Sequence, residues 1–143
     1  MACSAGRRGV SKHLLIVEDN PYDLELARAA LDLSDVRCEV SVAQDGQEAL
    51  HLLRSGDPLP DLILLDLNMP RVNGHQVLAA VRGDPALRRV PVVVFTTSDE
   101  QSDRAAATTA GADGYVLKPE GFNDLIATLN RLGQRWLTTP CCA

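Results

Sequence analysis

The sequence predicts an α/β fold: one doubly wound domain whose five-stranded parallel sheet runs in the order 2-1-3-4-5, flanked by five helices. Three observations predict it. Strand-like and helix-like stretches alternate along the chain. Four short apolar runs, Leu14 to Val17, Leu62 to Leu65, Val92 to Phe95 and Tyr115 to Leu117, read as strands buried on both faces. Each run delivers polar residues at its end: Glu18-Asp19, Asp66, Thr96 and Lys118-Pro119. Open parallel sheets bind ligands beyond the carboxyl ends of their strands, so these side chains are expected to meet at one edge.

The first strand is Leu14 to Val17. A helix starts near Pro21, suited to a first turn because its missing N–H is not needed there, with Asn20 as N-cap. Leu24, Ala27 and Leu31 give that helix an apolar stripe. Roughly Val36 to Ala43 is the second strand, alternating in a way that suggests a sheet edge. Gln47 to Arg54 is the second helix, burying Ala49, Leu50 and Leu53, and Gly56-Asp57-Pro58 ends it. Leu62 to Leu65 is the third strand. Asn68-Met69-Pro70 and Asn73-Gly74 mark a loop, and a short helix with Val77, Leu78 and Val81 follows. Val92 to Phe95 is the fourth strand. Glu100 to Ala110 is helical but carries only alanines as apolar surface, plus the weak formers Thr108 and Thr109. It is expected to pack shallowly and move easily, and Gly111 stops it. The fifth strand, about Asp113 to Leu117, leads through Lys118-Pro119 to the last helix. Phe122, Leu125, Ile126, Leu129 and Leu132 form its core stripe, with Trp136 beyond.

At 143 residues the chain suits one compact domain. Residues 1–11 read as a disordered leader, 12–138 as the folded domain and 139–143 as a flexible tail, with no output domain expected after Trp136. Met1 to Val10 has arginines but no apolar h-region, unlike a secretory signal. Hydrophobic residues at 45% allow a sizeable core, and only 3% aromatic residues make that core aliphatic. A formal net charge of −5 leaves no basic footprint for nucleic acid. No stretch approaches the roughly 20 apolar residues of a membrane-spanning helix. Cys3, Cys38, Cys141 and Cys142 contain no Cys-x-x-Cys pair, so no structural disulfide is expected and a cytoplasmic setting fits. Cys38 reads as a small core residue. Adjacent Cys141-Cys142 is reactive, metal-binding or incidental, and its place near a fraying terminus favours the last.

A doubly wound sheet opens a crevice between its first and third strands. Asp19 and Asp66 follow those strands and face each other across it. Clustered carboxylates repel unless a cation intervenes. Magnesium fits: it prefers oxygen ligands, keeps several waters and commonly shares one or two carboxylates with a phosphate. Glu18 adds a third carboxylate, and the backbone carbonyl of Asn68 can reach inward from the loop. A phosphoryl group on Asp66 has oxygens that need a donor and a countercharge. Thr96 supplies the hydroxyl and Lys118 the point charge. Lys118 precedes a proline and is restricted to extended geometry, and a cis bond there would further fix where the ammonium points.

In that order and rough spacing, Glu18-Asp19, Asp66, Thr96 and Lys118-Pro119 resemble the receiver domain of two-component response regulators, over about residues 13 to 137. Val17-Glu18-Asp19-Asn20-Pro21, Leu65-Asp66-Leu67-Asn68-Met69-Pro70 and Phe95-Thr96-Thr97-Ser98 further resemble the stand-alone receivers that partner bacterial phytochrome kinases. The resemblance implies a flavodoxin-like fold in which Asp66 accepts a phosphoryl group from a histidine of a sensor kinase, in a magnesium-dependent step. That is covalent catalysis by a carboxylate, with positioning and charge neutralisation from the metal, Thr96 and Lys118. It implies Glu18, Asp19, Asp66 and the Asn68 carbonyl as metal ligands, and Thr96 with Tyr115 as a switch pair. The aromatic ring turns inward when Thr96 is drawn to the phosphoryl group, and the alanine-faced helix between them is the bistable element. Hydrolysis resets the switch. The chain is then a signalling phosphoacceptor, not an enzyme with an external substrate.

Some positions depart from the pattern or admit other readings. Glu18 stands where many receivers carry a second Asp, and Ser98 and Met69 are placed to alter hydrolysis lifetime. A phosphatase of the haloacid dehalogenase type also uses a strand-end Asp and magnesium, but the second Asp of its Asp-x-Asp is Asn68 here, which removes the general acid. A non-phosphorylated receiver-like adaptor is the other alternative, although no residue needed for phosphorylation is missing. Neither Gly-x-x-x-x-Gly-Lys nor Gly-x-Gly-x-x-Gly occurs, which argues against a nucleotide-binding enzyme. His13, His51 and His75 lack metal-ligand spacing and are expected at the surface or in loops. Arg88-Arg89 and Arg7-Arg8 read as solvated charges, with docking of an acidic kinase face as the alternative for the first pair. Trp136 and Leu137 extend the last helix's apolar surface past what one domain would cover. Either Trp136 folds back onto the domain edge or, as the resemblance favours, the helix forms a homodimer.

Overall fold

The computed structural model describes residues 12–55, 59–69 and 72–137. Among them, five strands alternate with five helices: β1 (Lys12–Val17), α1 (Pro21–Leu33), β2 (Cys38–Ala43), α2 (Gly46–Arg54), β3 (Leu62–Leu65), α3 (Gly74–Gly83), β4 (Val92–Thr96), α4 (Gln101–Thr109), β5 (Gly114–Leu117) and α5 (Phe122–Trp136). Every strand pair is parallel and the order is β2-β1-β3-β4-β5, as the sequence predicts. The expected leader, tail, Gly56-Asp57-Pro58 stop and Arg7-Arg8 pair lie outside the described residues.

The continuous apolar strands have a plain cause. Successive side chains leave opposite faces of a strand, so one covered on both sides must be apolar at every position. Leu15, Val17, Ile63, Leu65, Val92 and Val94 face Ala49 and Leu53 of α2, Val77, Leu78 and Val81 of α3, and Ala107 of α4. Leu14, Ile16, Leu62, Leu64, Val93 and Phe95 face Leu24, Ala27, Ala30 and Leu31 of α1, and Leu125, Leu129 and Leu132 of α5. Each fully buried Leu or Ile contributes about 1.5–3 kcal/mol. Central β3 and β4 are buried throughout, and edge strand β2 is largely half-buried as its alternation predicts. Tyr115 to Leu117, expected to be buried on both faces, is instead half-buried to exposed because β5 is the other edge of the sheet.

Local chemistry sets the helix starts. Asn20 Oδ1 accepts the backbone N–H of Tyr22 at 2.9 Å and of Asp23 at 3.2 Å, with Pro21 opening α1. Asn73 and Gln76 form a reciprocal capping box on α3, at 3.0 and 2.9 Å. α4 has no side-chain cap and buries only Ala107, the shallow packing that its alanines predict. Gly111, at φ 101°, takes the left-handed conformation that lets the chain leave α4.

Several expectations need correction. The Lys118–Pro119 bond is trans, since no described peptide bond is cis. Phe122, at the first position of α5, is exposed, and Ile126 and Leu50 are half-buried. Leu137 is buried and Trp136 half-covered against the same cluster, with the Arg135 guanidinium 5.2 Å from its ring. The apolar end of α5 therefore folds back onto the domain. Cys38, read as a core residue, is half-buried on edge strand β2 and packs against the margin of the core. His13 and His75 sit in β1 and α3, not in loops. Both are half-buried and bonded, to Ser41 at 2.7 Å and Asp103 at 3.2 Å.

Candidate functional site

The register of the sheet sets the site. Val17 lies opposite Leu65, Leu65 opposite Val94, and Thr96 opposite Leu117, so the residues that follow leave the same edge. Backbone bonds carry the ladder one step further. Glu18 N–H donates to Ala43 O at 2.9 Å, Asp66 N–H to Val17 O at 3.1 Å and Lys118 N–H to Thr96 O at 2.8 Å. Strand pairing thereby fixes where Glu18, Asp66 and Lys118 leave the sheet, and Asp19 and Asn68 follow in the loops after β1 and β3.

Glu18, Asp19 and Asp66 each offer a carboxylate oxygen, and these atoms all lie within 4.8 Å of one another. Asp66 is 7% exposed and Glu18 5%, so this negative charge is poorly hydrated. Lys118 is the balancing cation. Its Nζ bonds Glu18 Oε1, lies 3.2 Å from Asp23 Oδ2 and 3.7 Å from Asp66 Oδ2. Burial pushes Glu18 up to about 7, with the Asp66 charge adding to it against the Lys118 hydrogen bond. Burial also works against the Lys118 ammonium. The Glu18 hydrogen bond and the charges of Asp66, Glu18 and Asp23 outweigh it and hold the ammonium above its usual range. Glu18, Asp23 and Asp66 surround the one ammonium, and Asp19 adds a carboxylate beside Glu18 and Asp66. Acidic groups thus outnumber the cation, and hard oxygen donors at this spacing fit a divalent cation.

An open pocket of about 490 Å³ lies over these groups, with Glu18, Asp19, Asp66, Asn68, Thr97 and Lys118 in its wall. A second, more apolar cavity of about 340 Å³ shares Glu18 and Lys118 and continues past Leu26 of α1 and Leu125 of α5. The pocket thus gathers five residues singled out from sequence: Glu18, Asp19, Asp66, Asn68 and Lys118. Thr96 is different. Its side chain is fully buried, its Oγ1 accepts the Ser98 N–H at 3.3 Å, and the pocket wall has Thr97 instead. Thr97 and Asp23 are the residues that sequence reading missed. Strand alternation was the available signal for Thr97, because neighbouring side chains point to opposite faces. Nothing in the spacing marks Asp23 as a partner for Lys118, 95 residues away. Tyr115 is half-buried, donates its hydroxyl to Ser98 O at 2.9 Å, and has the Arg104 guanidinium 4.5 Å from its ring centre.

Away from the pocket, α1 presents Tyr22 and Leu33, each 68% exposed and three turns apart, on one side of the helix. Among the described residues, no helix is long and apolar enough to cross a membrane.

Comparison with known proteins agrees with this geometry. The response regulator receiver domain matches residues 14–130. Response regulator Rcp1 of Synechocystis sp. is 35% identical over 133 residues, covering 90% of each chain. The Mn(2+)-bound form of Rcp1 gives a TM-score of 0.80 over 92% of this chain and 99% of that one. The phosphorylated cyanobacterial phytochrome response regulator RcpA gives 0.84 at 35% identity, over 94% of this chain and 100% of that one. The bacteriophytochrome response regulator AtBRR gives 0.73 at 38% identity, over 91% and 98%. Strand order, acidic strand ends and matches over nearly the whole length agree, and the chain belongs to the family of response regulator receiver domains.

Proposed function

We propose that the chain is a phosphoacceptor switch of a two-component system: Asp66 takes a phosphoryl group from a histidine of a sensor kinase in a magnesium-dependent step. The carrying observation is the setting of Asp66, a nearly buried carboxylate at a central strand end, with Glu18 and Asp19 close by and the Lys118 ammonium 3.7 Å away. Bound magnesium, held by Glu18, Asp19, Asp66 and the Asn68 carbonyl, would offset the negative charge of the phosphoryl oxygens. The chain's own groups do the rest. An Asp66 oxygen attacks phosphorus and forms the new P–O bond. The P–N bond to the donor imidazole breaks, and the imidazole leaves with its electron pair. Lys118 supplies a fixed positive charge beside the acylphosphate, and little beyond such positioning is needed. Thr96, once it releases the Ser98 N–H, donates its hydroxyl to a phosphoryl oxygen. Tyr115 follows it inward, and changed protein contacts carry the signal until hydrolysis resets Asp66.

The relatives support a bacteriophytochrome kinase as partner, since RcpA and AtBRR are described as phytochrome response regulators. The exposed Tyr22 and Leu33 side of α1 supports docking of a protein with a complementary apolar surface. A cytoplasmic setting belongs to the same reading. A homodimer through α5 loses the argument from an uncovered apolar end, and sedimentation at high micromolar concentration decides it.

Incubation with acetyl phosphate and magnesium tests the proposal by intact mass. The chain is expected to gain one phosphoryl group, and Asp66→Ala or removal of magnesium by chelation to abolish the gain. No gain on the native chain would leave a receiver-shaped adaptor and end the proposal.

A further inference from the structure

α4 buries one side chain, the methyl of Ala107, where α3 buries Val77, Leu78 and Val81. Apolar contact alone gives α4 little grip on the domain. Its polar contacts are more numerous. Asp103, in its first turn, accepts the Ser98 Oγ–H at 2.6 Å on one oxygen and meets His75 Nε2 at 3.2 Å with the other. His75 belongs to the first turn of α3, the helix that follows the Asp66 loop, so one carboxylate ties α4 both to α3 and to its own leading loop. Ser98 is the second node. Its N–H donates to Thr96 Oγ1 at 3.3 Å and its carbonyl accepts the Tyr115 hydroxyl at 2.9 Å. Arg104 closes the group, with its guanidinium over the Tyr115 ring and 3.5 Å from Asp99. Ser98 and His75 hold the Asp103 carboxyl below the usual carboxylate range, so it serves as a charged acceptor.

We propose that Asp103 and His75 are positioning residues that act through Ser98 on Thr96, keeping the Thr96 hydroxyl engaged and α4 docked until Asp66 carries a phosphoryl group. The inference rests on the phosphoacceptor reading above. Turning the Thr96 hydroxyl toward a phosphoryl oxygen gives up the Ser98 N–H contact. The Ser98 segment then shifts, and the Ser98–Asp103 bond lengthens or breaks. Contacts that oppose this turn lower the affinity of the site for a phosphoryl-like group, and removing them raises that affinity by the same factor.

The full chain and its Asp103→Ala, Ser98→Ala, His75→Ala and His75→Gln variants test the idea by two measurements. One is magnesium-dependent binding of beryllofluoride, a phosphoryl mimic. The other is amide hydrogen exchange without it. Asp103→Ala and Ser98→Ala are expected to bind beryllofluoride about fivefold tighter and to exchange α4 amides about tenfold faster, with α1 and α5 unchanged. His75→Ala does the same more weakly, and His75→Gln, which keeps a donor, restores native values. Faster α4 exchange with unchanged or weaker beryllofluoride binding would reduce the contacts to a structural role and overturn the proposal. Unchanged α4 exchange would overturn it as well. If the native chain binds no beryllofluoride, the phosphoacceptor reading fails, and with it the claim that these residues act on Thr96.

Discussion

Replacing Gly74 with alanine probes how firmly the fold pins the loop that carries Asp66. Gly74 opens α3, and its N–H donates to Leu67 O at 3.1 Å. A Cβ there would lie 2.3 Å from the Asp66 carbonyl oxygen and 2.6 Å from Leu67 Cα. Both are backbone atoms, so no side chain can rotate aside. Ordinary contact begins near 3.4 Å, so α3 and the loop must part by about 1 Å. Helix propensity alone would favour alanine by up to ~1 kcal/mol. Overpacking opposes it by ~1–3 kcal/mol, and a clash between backbones belongs at the upper end, for a net loss of about 2 kcal/mol. That lowers Tm by roughly 5–10 °C for a chain of this size. The displaced loop carries Asp66 and Asn68, so phosphorylation by acetyl phosphate should slow by about tenfold or more. Thermal unfolding and an intact-mass time course measure the two effects. Gly83→Ala is the control, because nothing lies within 4 Å of its added Cβ, and it should melt at or slightly above the native temperature. A Gly74→Ala chain that melts and labels like the native one would refute the reasoning.

Three other outcomes are expected. Glu18 sits at about 7 in the fold against an ordinary 4.5. A raised carboxyl value favours the protonated form in the native state, so its contribution to stability falls as pH climbs from about 4.5 to about 7. Urea unfolding without metal should show the native chain losing ~1–3 kcal/mol over that window relative to Glu18→Gln; parallel pH profiles would contradict the assignment. Thr96→Ala should slow acetyl phosphate labelling by about 10–100-fold, with Thr97→Ala changing it by less than ~3-fold. The reverse order would make Thr97, in the pocket wall, the hydroxyl donor. Arg82 donates to Gly111 O at 2.9 Å, Arg88 O at 3.0 Å, Val90 O at 2.8 Å and Asp113 Oδ2 at 2.7 Å. Arg82→Met strips these acceptors of their partner and should cost roughly 2–3 kcal/mol in urea unfolding, with labelling of Asp66 unchanged.

The sheet was legible because burial on both faces leaves a local trace, an unbroken apolar run, and because the polar residue after each run shares one edge. Leu62 to Leu65 followed by Asp66 is the clearest instance. The α1 start was legible for a similar reason, since Asn20-Pro21 acts within one turn. What escaped depends on partners distant in sequence. Lys118 is shared by Glu18, Asp23 and Asp66, and its 95- and 100-residue separations carry no periodic signal. Thr96 reads as a pocket residue from its place at a strand end, but the pleat and the Ser98 N–H give its hydroxyl another partner. The α5 end reads as uncovered because the stripe continues through Trp136 and Leu137. Whether neighbouring structure reaches that far is a tertiary fact.

The sheet also divides the apolar interior into two compartments that meet only through the strands themselves. α1 and α5 belong to one compartment, and α2, α3 and α4 to the other. A visitor seated on Tyr22 and Leu33 and a visitor resting against α4 would stand on opposite sides of a slab, and neither would have to depart before the other arrived. A substitution that repacks one cluster would therefore act on the other only across the strands, so on the phosphoacceptor reading a kinase on α1 and a target on α4 would meet separately packed supports.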